Sequence, residues 1–401
     1  MRRGVLAAVA CAMALGGFSE EQATHFAQDA WEPFLKTGEL PGAISVFYDD
    51  GREEIACFGY ADVEAKRKIT LDDPFQQCSQ TKGFCGVTAA MLVEAGKIRL
   101  DDSVSCYLPE FENLFVKVSE TNGVRTLAKA KNKLTVRMCL NHTGGLPFEV
   151  PNFHAMGGWS RRMPLRSVAA VMASEPLLFE PGTKVQYSNA GIDIAAAVVE
   201  QVSGMRWETF LEKRVFKPLG MTSSTFWPTE DQMKRRIGFY RYAAGKLAVK
   251  AAPNPSMQPP FGDDRVFPSA GAGLWTTARD QLKFYKMLMN LGLGENGVRL
   301  LKEETVRNLL AKSSRPAGFE GYSLGLIAPV EDREDAWFGH GGAWANQCLV
   351  NWHRKQLQLL VVQLTGGNCY AFRERNAQAA EKFFKTRIDQ SGVEAYTGRL
   401  K

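Results

Sequence analysis

The sequence predicts an α/β protein of the α+β type: a mostly antiparallel sheet flanked by N- and C-terminal helices, with a large all-helical region inserted between its strands. Three observations predict it. Two β-like runs, AISVFY (43–48) and EEIACFGY (53–60), meet at Asp49-Asp50-Gly51, and Asp-Gly between such runs signals a hairpin. A second pair, NQCLVNW (346–352) and LQLLVVQL (357–364), flanks the polar turn HRKQ. Between the pairs, from Ser79 to about Asn290, the pattern is mostly helical, broken by Gly- and Pro-rich loops such as PNPSMQPP (253–260). Strands at both ends with helices between them imply one sheet assembled from distant parts of the chain.

Taken in order, residues 1–19, MRRGVLAAVACAMALGGFS, place two arginines before an apolar run and small residues after it. That is the order of a secretory signal peptide, and the run is too short to span a bilayer. The expectation is export to a bacterial periplasm or beyond, with no later membrane helix. Residues 20 to about 36 form a helical pattern that ends at Gly38. The organisation expected is a discontinuous sheet domain, 20–78 with 291–401, and a mainly helical region, 79–290. A last helix, roughly 372–387, closes the chain. A cleft is expected where sheet and helical region meet, since pockets favour such junctions.

The formal net charge of +6 is not concentrated in any basic block, which excludes a nucleic-acid footprint. Cys11 lies in the leader. The other seven cysteines, at irregular spacings and without a C-x-x-C pair, do not form a disulfide framework or a zinc ribbon. There is no H-E-x-x-H. Neither a metal nor an organic cofactor is expected.

The chemistry starts at CSQTKGF (78–84). Residues three apart share a helical face, so Ser79 and Lys82 meet there. Chance alone supplies about one S-x-x-K in a chain of this composition, so the setting decides. GFCGVTAAMLV (83–93) is apolar nearly all round, and such a helix is buried. Its first turn holds a hydroxyl and an amine at the edge of a core, where both need partners. The helix N-terminus favours a developing oxyanion. Serine becomes a nucleophile when a base takes its proton. Either Lys82 does so as an amine, or a tyrosine beside the lysine cation does.

That tyrosine is found in PGTKVQYSNAGIDIAAAVVEQVSG (181–204). Tyr187 can shuttle protons and Asn189 can contact both substrate and Lys82; the plainer reading is a helix-capping loop with a packed tyrosine. A third element, FGHGGAW (338–344), precedes the terminal hairpin. His340 opens a strand there, and Gly341 and Gly342 let a substrate approach the backbone. The backbone N–H groups of Ser79 and Ala343 are the candidate oxyanion hole, and one such donor typically contributes ~3 kcal/mol. His142, in HTGG (142–145), is the rival histidine, read as structural because a proline-containing loop follows it. Cys78 is set aside as a nucleophile, because helix neighbours point about 100° apart and cannot both face one cleft. Cys85 is read as packed.

These three elements, in this order, resemble those of the serine β-lactamase and penicillin-binding-protein superfamily, in particular the branch with class C β-lactamases, D-alanyl-D-alanine carboxypeptidases and esterases of the same fold. The likeness extends to LDDPFQQCSQTKGFCGVTAAMLVEAGKIRLDDSVSCYLPEF (71–111), LTVRMCLNHTGGLP (134–147), the tyrosine region (180–221), SAGAGLWTTARDQLKFYKMLMN (269–290) and YSLGL (322–326). The resemblance implies that Ser79 is acylated, Lys82 activates it, Tyr187 relays protons, Asn189 contacts substrate and His340 begins the third motif. Where β-lactamases of the family carry Lys-Thr-Gly, this chain has His-Gly-Gly. A neutral histidine suits a substrate carboxylate less than a lysine does. The expectation is therefore an exported serine hydrolase whose partner is a small ester, peptide or β-lactam, with esters and peptides favoured. A non-catalytic binding protein, acylated without turnover, is the competing reading. No clear equivalent of the class A deacylation glutamate is visible, which leaves water activation to Tyr187.

Overall fold

The computed structural model describes residues 25–149, 163–251, 266–311, 321–329, 331–385 and 388. The leader (1–19) and the loop at 253–260 lie outside them.

The chain opens with helix α1 (His25–Thr37) and the hairpin β1 (Gly42–Asp49) and β2 (Arg52–Asp62). The segment around Ser79 is a 3-10 turn, Cys78–Gln80, running straight into α2 (Thr81–Glu94). A second hairpin follows, β3 (Phe115–Thr121) and β4 (Val124–Lys129). Helices α3 (Asn189–Ser203) and α4 (Ala278–Met289) carry the helical region. Strands β5 (Phe338–Gly341), β6 (Gln347–Asn351) and β7 (Gln356–Val361) and helix α5 (Ala371–Phe384) complete the fold.

The main sheet has six strands in the order β5-β6-β7-β1-β2 followed by the short strand Arg67–Lys68, with every neighbouring pair antiparallel. This is the predicted architecture. β1 is central, with Val46 opposite Ile55 on one side and Leu359 on the other. It is buried from Gly42 to Phe47 because both faces are covered. Ala43 and Phe47 belong to the layer under α1 and α5, with Trp31, Phe372 and Phe383. Ile44 and Val46 face the larger core shared with the helical region. Alternation by two divides the residues between the layers. Ser45, on the α1–α5 face, accepts from the Trp31 indole (2.8 Å) and donates to Asn376 Oδ1 (2.7 Å), so its hydroxyl is not orphaned.

α2 is buried on nearly every side, as its composition predicts. Phe84 stacks on Phe284 of α4 with ring centroids 3.6 Å apart. Burial of that ring contributes on the order of 2 kcal/mol. At Gly86 a Cβ would overlap the Leu324 carbonyl, so this face of α2 admits the YSLGL backbone only because no side chain intervenes.

Three boundaries differ from expectation. The mainly helical middle contains the β3–β4 hairpin, whose Asn122-Gly123 turn has φ of 50° and 80°. Asn-Gly is the strongest short hairpin signal, and it outweighs the helical reading of its flanks. His340 does not open its strand but is the third residue of β5. Leu364–Thr365 leaves the terminal hairpin to pair in parallel with Tyr240–Arg241. Among the described residues no helix is long and apolar enough to cross a membrane.

Candidate active site

Ser79 is half-buried in its 3-10 turn, between the buried Cys78 and Gln80. The residue before it, Cys78, has φ of 52°, a left-handed conformation that costs a non-glycine residue about 1–2 kcal/mol. Thr81 Oγ1 donates to the Cys78 carbonyl at 2.6 Å and helps hold the turn. The Cys78 thiol is fully buried, packed with Phe239, Trp275 and Trp344, and burial pushes it up to about 12. It is therefore a protonated core group, whereas the adjacent Ser79 is only half-buried.

At the second position of α2, Lys82 is completely buried. Its Nζ lies 3.2 Å from Ser79 Oγ, 2.6 Å from Asn189 Oδ1 and 2.7 Å from the Gly271 carbonyl oxygen. It also sits 4.6 Å from the centroid of the Tyr187 ring, a cation–π distance. An amide oxygen and a backbone carbonyl only accept, so they take two N–H directions, and the third points at Ser79. As an ammonium Lys82 donates to the hydroxyl; as an amine it accepts the hydroxyl's proton.

The second element is positioned by the start of α3. Ser188 is the N-cap, its hydroxyl accepting from Gly191 N at 2.9 Å and donating to the Pro147 carbonyl at 2.7 Å. That cap orients Asn189 at the first helical position. Asn189 bridges two charges: Oδ1 accepts from Lys82, and Nδ2 donates to Glu149 Oε1 at 3.0 Å. Tyr187 is 8% exposed, with its ring against His142 (4.5 Å), Phe148 (6.1 Å) and Tyr322 (6.3 Å).

The third element is arranged differently from its sequence reading. His340 is 1% exposed. Its Nδ1 donates to the Gly341 carbonyl at 2.6 Å and its Nε2 accepts from Tyr322 Oη at 3.2 Å, a pair of contacts that sets the tautomer. Burial, reinforced by the Lys82 cation, lowers its pKa to about 3, so the ring is neutral. The glycines are filled by protein. A Cβ on Gly341 would lie 2.7 Å from the Arg373 guanidinium carbon, and one on Gly342 would overlap the Gln77 carbonyl and Asn346 Oδ1. Their small size lets β5 and its turn close on the nucleophile segment. Ala343, which follows, is exposed.

Behind Ser79 runs a chain of buried amides that sequence reasoning missed. Gln281 Nε2 donates to Gln80 Oε1 (2.6 Å), and Gln80 Nε2 donates to Asn346 Oδ1 (2.5 Å). Asn346 Nδ2 donates to the Gln76 carbonyl (3.3 Å), and the Trp344 indole to Gln76 Oε1 (3.0 Å). This network ties both segments expected to supply oxyanion donors, 76–80 and 343–346, to α4. His142 is 1% exposed and packs against Tyr187 and Tyr322, with Nδ1 accepting from Ser188 N at 3.3 Å. Burial holds it well below the usual histidine range, so it is a neutral wall behind the tyrosine. Cys85 is buried, its thiol on the Ile192 carbonyl at 3.5 Å. The seven described cysteines are free thiols, and no group of three His, Cys, Asp or Glu among the described residues could hold a metal ion.

Known proteins resemble the chain in sequence and in fold. Residues 27–381 match the family model described as Beta-lactamase. Protein Rv1367c of Mycobacterium tuberculosis is 31% identical over 281 residues, 67% of each chain. In three dimensions the chain is similar to the LovD6 mutant of simvastatin synthase (LovD) from Aspergillus terreus, with TM-score 0.73 and 22% identity over 89% of this chain and 94% of that one. It is also similar to EstCE1, a hydrolase with promiscuous acyltransferase activity, with TM-score 0.66 and 21% identity over 88% and 97%.

Proposed function

Because the chain belongs to the Beta-lactamase family, we propose that it is an exported serine hydrolase that cleaves a small ester or amide through an acyl-enzyme on Ser79. The observation that carries this reading is the double hold on Lys82 Nζ by Asn189 and Gly271, which leaves the amine one direction, toward Ser79 Oγ at 3.2 Å. In the proposed cycle Lys82 acts as the neutral amine: Ser79 Oγ attacks the substrate carbonyl, its proton passes to the lone pair of Lys82 Nζ, and Tyr187, whose ring face lies 4.6 Å from that nitrogen, serves as the relay. The tetrahedral oxyanion is held by the N–H groups of Ser79 and Ala343. The intermediate collapses, the leaving alcohol or amine takes the proton, and the acyl group stays on Ser79. Water, deprotonated through Tyr187, then adds to the acyl carbonyl, and Ser79 Oγ departs with the proton returned to it.

The substrate preference rests on charge. Lys82 is occupied within the protein, and His340 is neutral and engaged by Tyr322 and Gly341. Neither supplies an available cation for a carboxylate, which supports esters and small peptides over efficient β-lactam turnover. Asn189 lines the substrate path in this reading, and the leader at 1–19 directs the chain to the periplasm or outside the cell.

The test is one panel, a short-chain aryl ester, a chromogenic cephalosporin and a D-Ala-D-Ala peptide, with intact mass recorded during turnover. The expected result is steady turnover of the ester or peptide, an acyl adduct on Ser79, and loss of at least about 1,000-fold in kcat for Ser79→Ala. Undiminished turnover by Ser79→Ala would refute the mechanism, and a burst without turnover would favour the binding-protein reading.

A further inference from the structure

Lys82 is held by two acceptors far apart in sequence, Asn189 on α3 and the carbonyl of Gly271 in the loop before α4. What fixes the loop is a side chain the catalytic cycle does not use. Asp193 lies one helical turn beyond Asn189 on the same face of α3 and is 2% exposed. Its Oδ1 accepts from Ala270 N at 2.7 Å, from Gly271 N at 3.1 Å and from Ser269 Oγ at 3.4 Å. Three donors from consecutive residues thus converge on one carboxylate oxygen. The loop lies flush against the helix, because a Cβ on Gly271 would stand 2.7 Å from Asn189 Oδ1 and 2.8 Å from its Cβ. The carbonyl of the residue so pinned then reaches Lys82 Nζ at 2.7 Å.

We propose that Asp193 is the positioning residue for Lys82: it clamps Ser269, Ala270 and Gly271 to α3, so that both non-donating acceptors of the amine are referenced to one helix face and its remaining direction is fixed on Ser79. The inference rests on the reading of Lys82 as activator of Ser79. Asp193 touches no reacting atom. Its contribution is to the angle and distance at which Lys82 meets the hydroxyl, and misplacement of a reacting group by about 1 Å costs about 100-fold. Asparagine at 193 keeps an acceptor oxygen for the same backbone donors, and alanine removes it.

Two readouts on the full chain test the clamp. The first is hydrogen exchange of the segment 267–275, compared at equal global stability. Protection is expected in wild type and Asp193→Asn and lost in Asp193→Ala. The second is the rate at which a fluorophosphonate probe labels Ser79, followed by intact mass and normalised to folded protein. Asp193→Ala is expected to label about 10- to 100-fold more slowly, and Asp193→Asn within about threefold of wild type. Unchanged protection and labelling in Asp193→Ala would overturn the proposal. So would an Asp193→Asn as slow and as unprotected as the alanine variant. Absence of Ser79 labelling in wild type would instead count against the serine-hydrolase reading, and the exchange comparison would still decide whether Asp193 clamps the loop.

Discussion

The two walls that flank Ser79 are built on opposite principles. On the helix side, Lys82, Asn189 and Gly271 place an amine and its acceptors within 3.2 Å of one another or of the hydroxyl. On the strand side, His340 is neutral, Gly341 and Gly342 make room for Arg373 and Gln77, and the Gln281–Gln80–Asn346 chain joins strand to nucleophile. One wall carries the amine that the proposed chemistry uses and the other carries shape. A serine needs both, since an activated oxygen is useless unless the donors for the oxyanion stand at a fixed distance from it.

That division is open to direct attack. Lys82→Ala removes the amine from the reactive wall, and kcat is expected to fall by at least about 1,000-fold with little change in KM. A smaller effect than that of any strand-side variant would erase the distinction. Gly342→Ala acts on shape alone. Its Cβ meets a backbone carbonyl that cannot swing aside, so we expect a loss of about 1–3 kcal/mol in unfolding free energy together with a fall in kcat. Gly341→Ala meets only the end of the Arg373 side chain and is expected to lose less; equal thermal shifts for the two variants would contradict the packing described.

The smallest effect concerns His340 and pH. Its folded pKa, near 3, is depressed below the ordinary value of 6.5. Between these values the unfolded chain binds the proton and the folded chain does not, so this contribution to stability is present above pH 6.5 and lost as pH falls toward 3. His142 is shifted in the same direction by burial. His340→Gln is therefore expected to flatten the acid side of the stability–pH profile and leave the neutral plateau nearly unchanged. An acid limb as steep as that of wild type would refute the buried neutral ring.

What was legible in the sequence was local. Ser79 and Lys82 are three residues apart on one helix, Tyr187 and Asn189 stand at one helix start, and both sheet hairpins carry their turn residues between apolar runs. The β3–β4 hairpin was misread although Asn122-Gly123 announces it, because its strands are exposed and lack a buried face to give a strong alternation. The amide chain joins residues 80, 281 and 346, and Asp193 reaches 269–271. No spacing rule connects such positions. Each glutamine or aspartate reads as an ordinary polar residue until the fold buries it and its hydrogen bonds must be found inside the protein. The glycines of the third motif were legible as special, but not for whose sake: they admit a guanidinium and a neighbouring turn.

The central strand β1 pairs with β7, and the nucleophile turn closes against residues 342–346. Early and late parts of the polypeptide must therefore meet before Ser79 has its second wall. A chain cut short before residue 338 has a serine and a lysine but no completed pocket, and closure over so long a loop belongs to the slow end of folding. If Ser79 acts as proposed, activity would consequently arrive all at once, with the last strands, and a partly synthesised molecule would be inert.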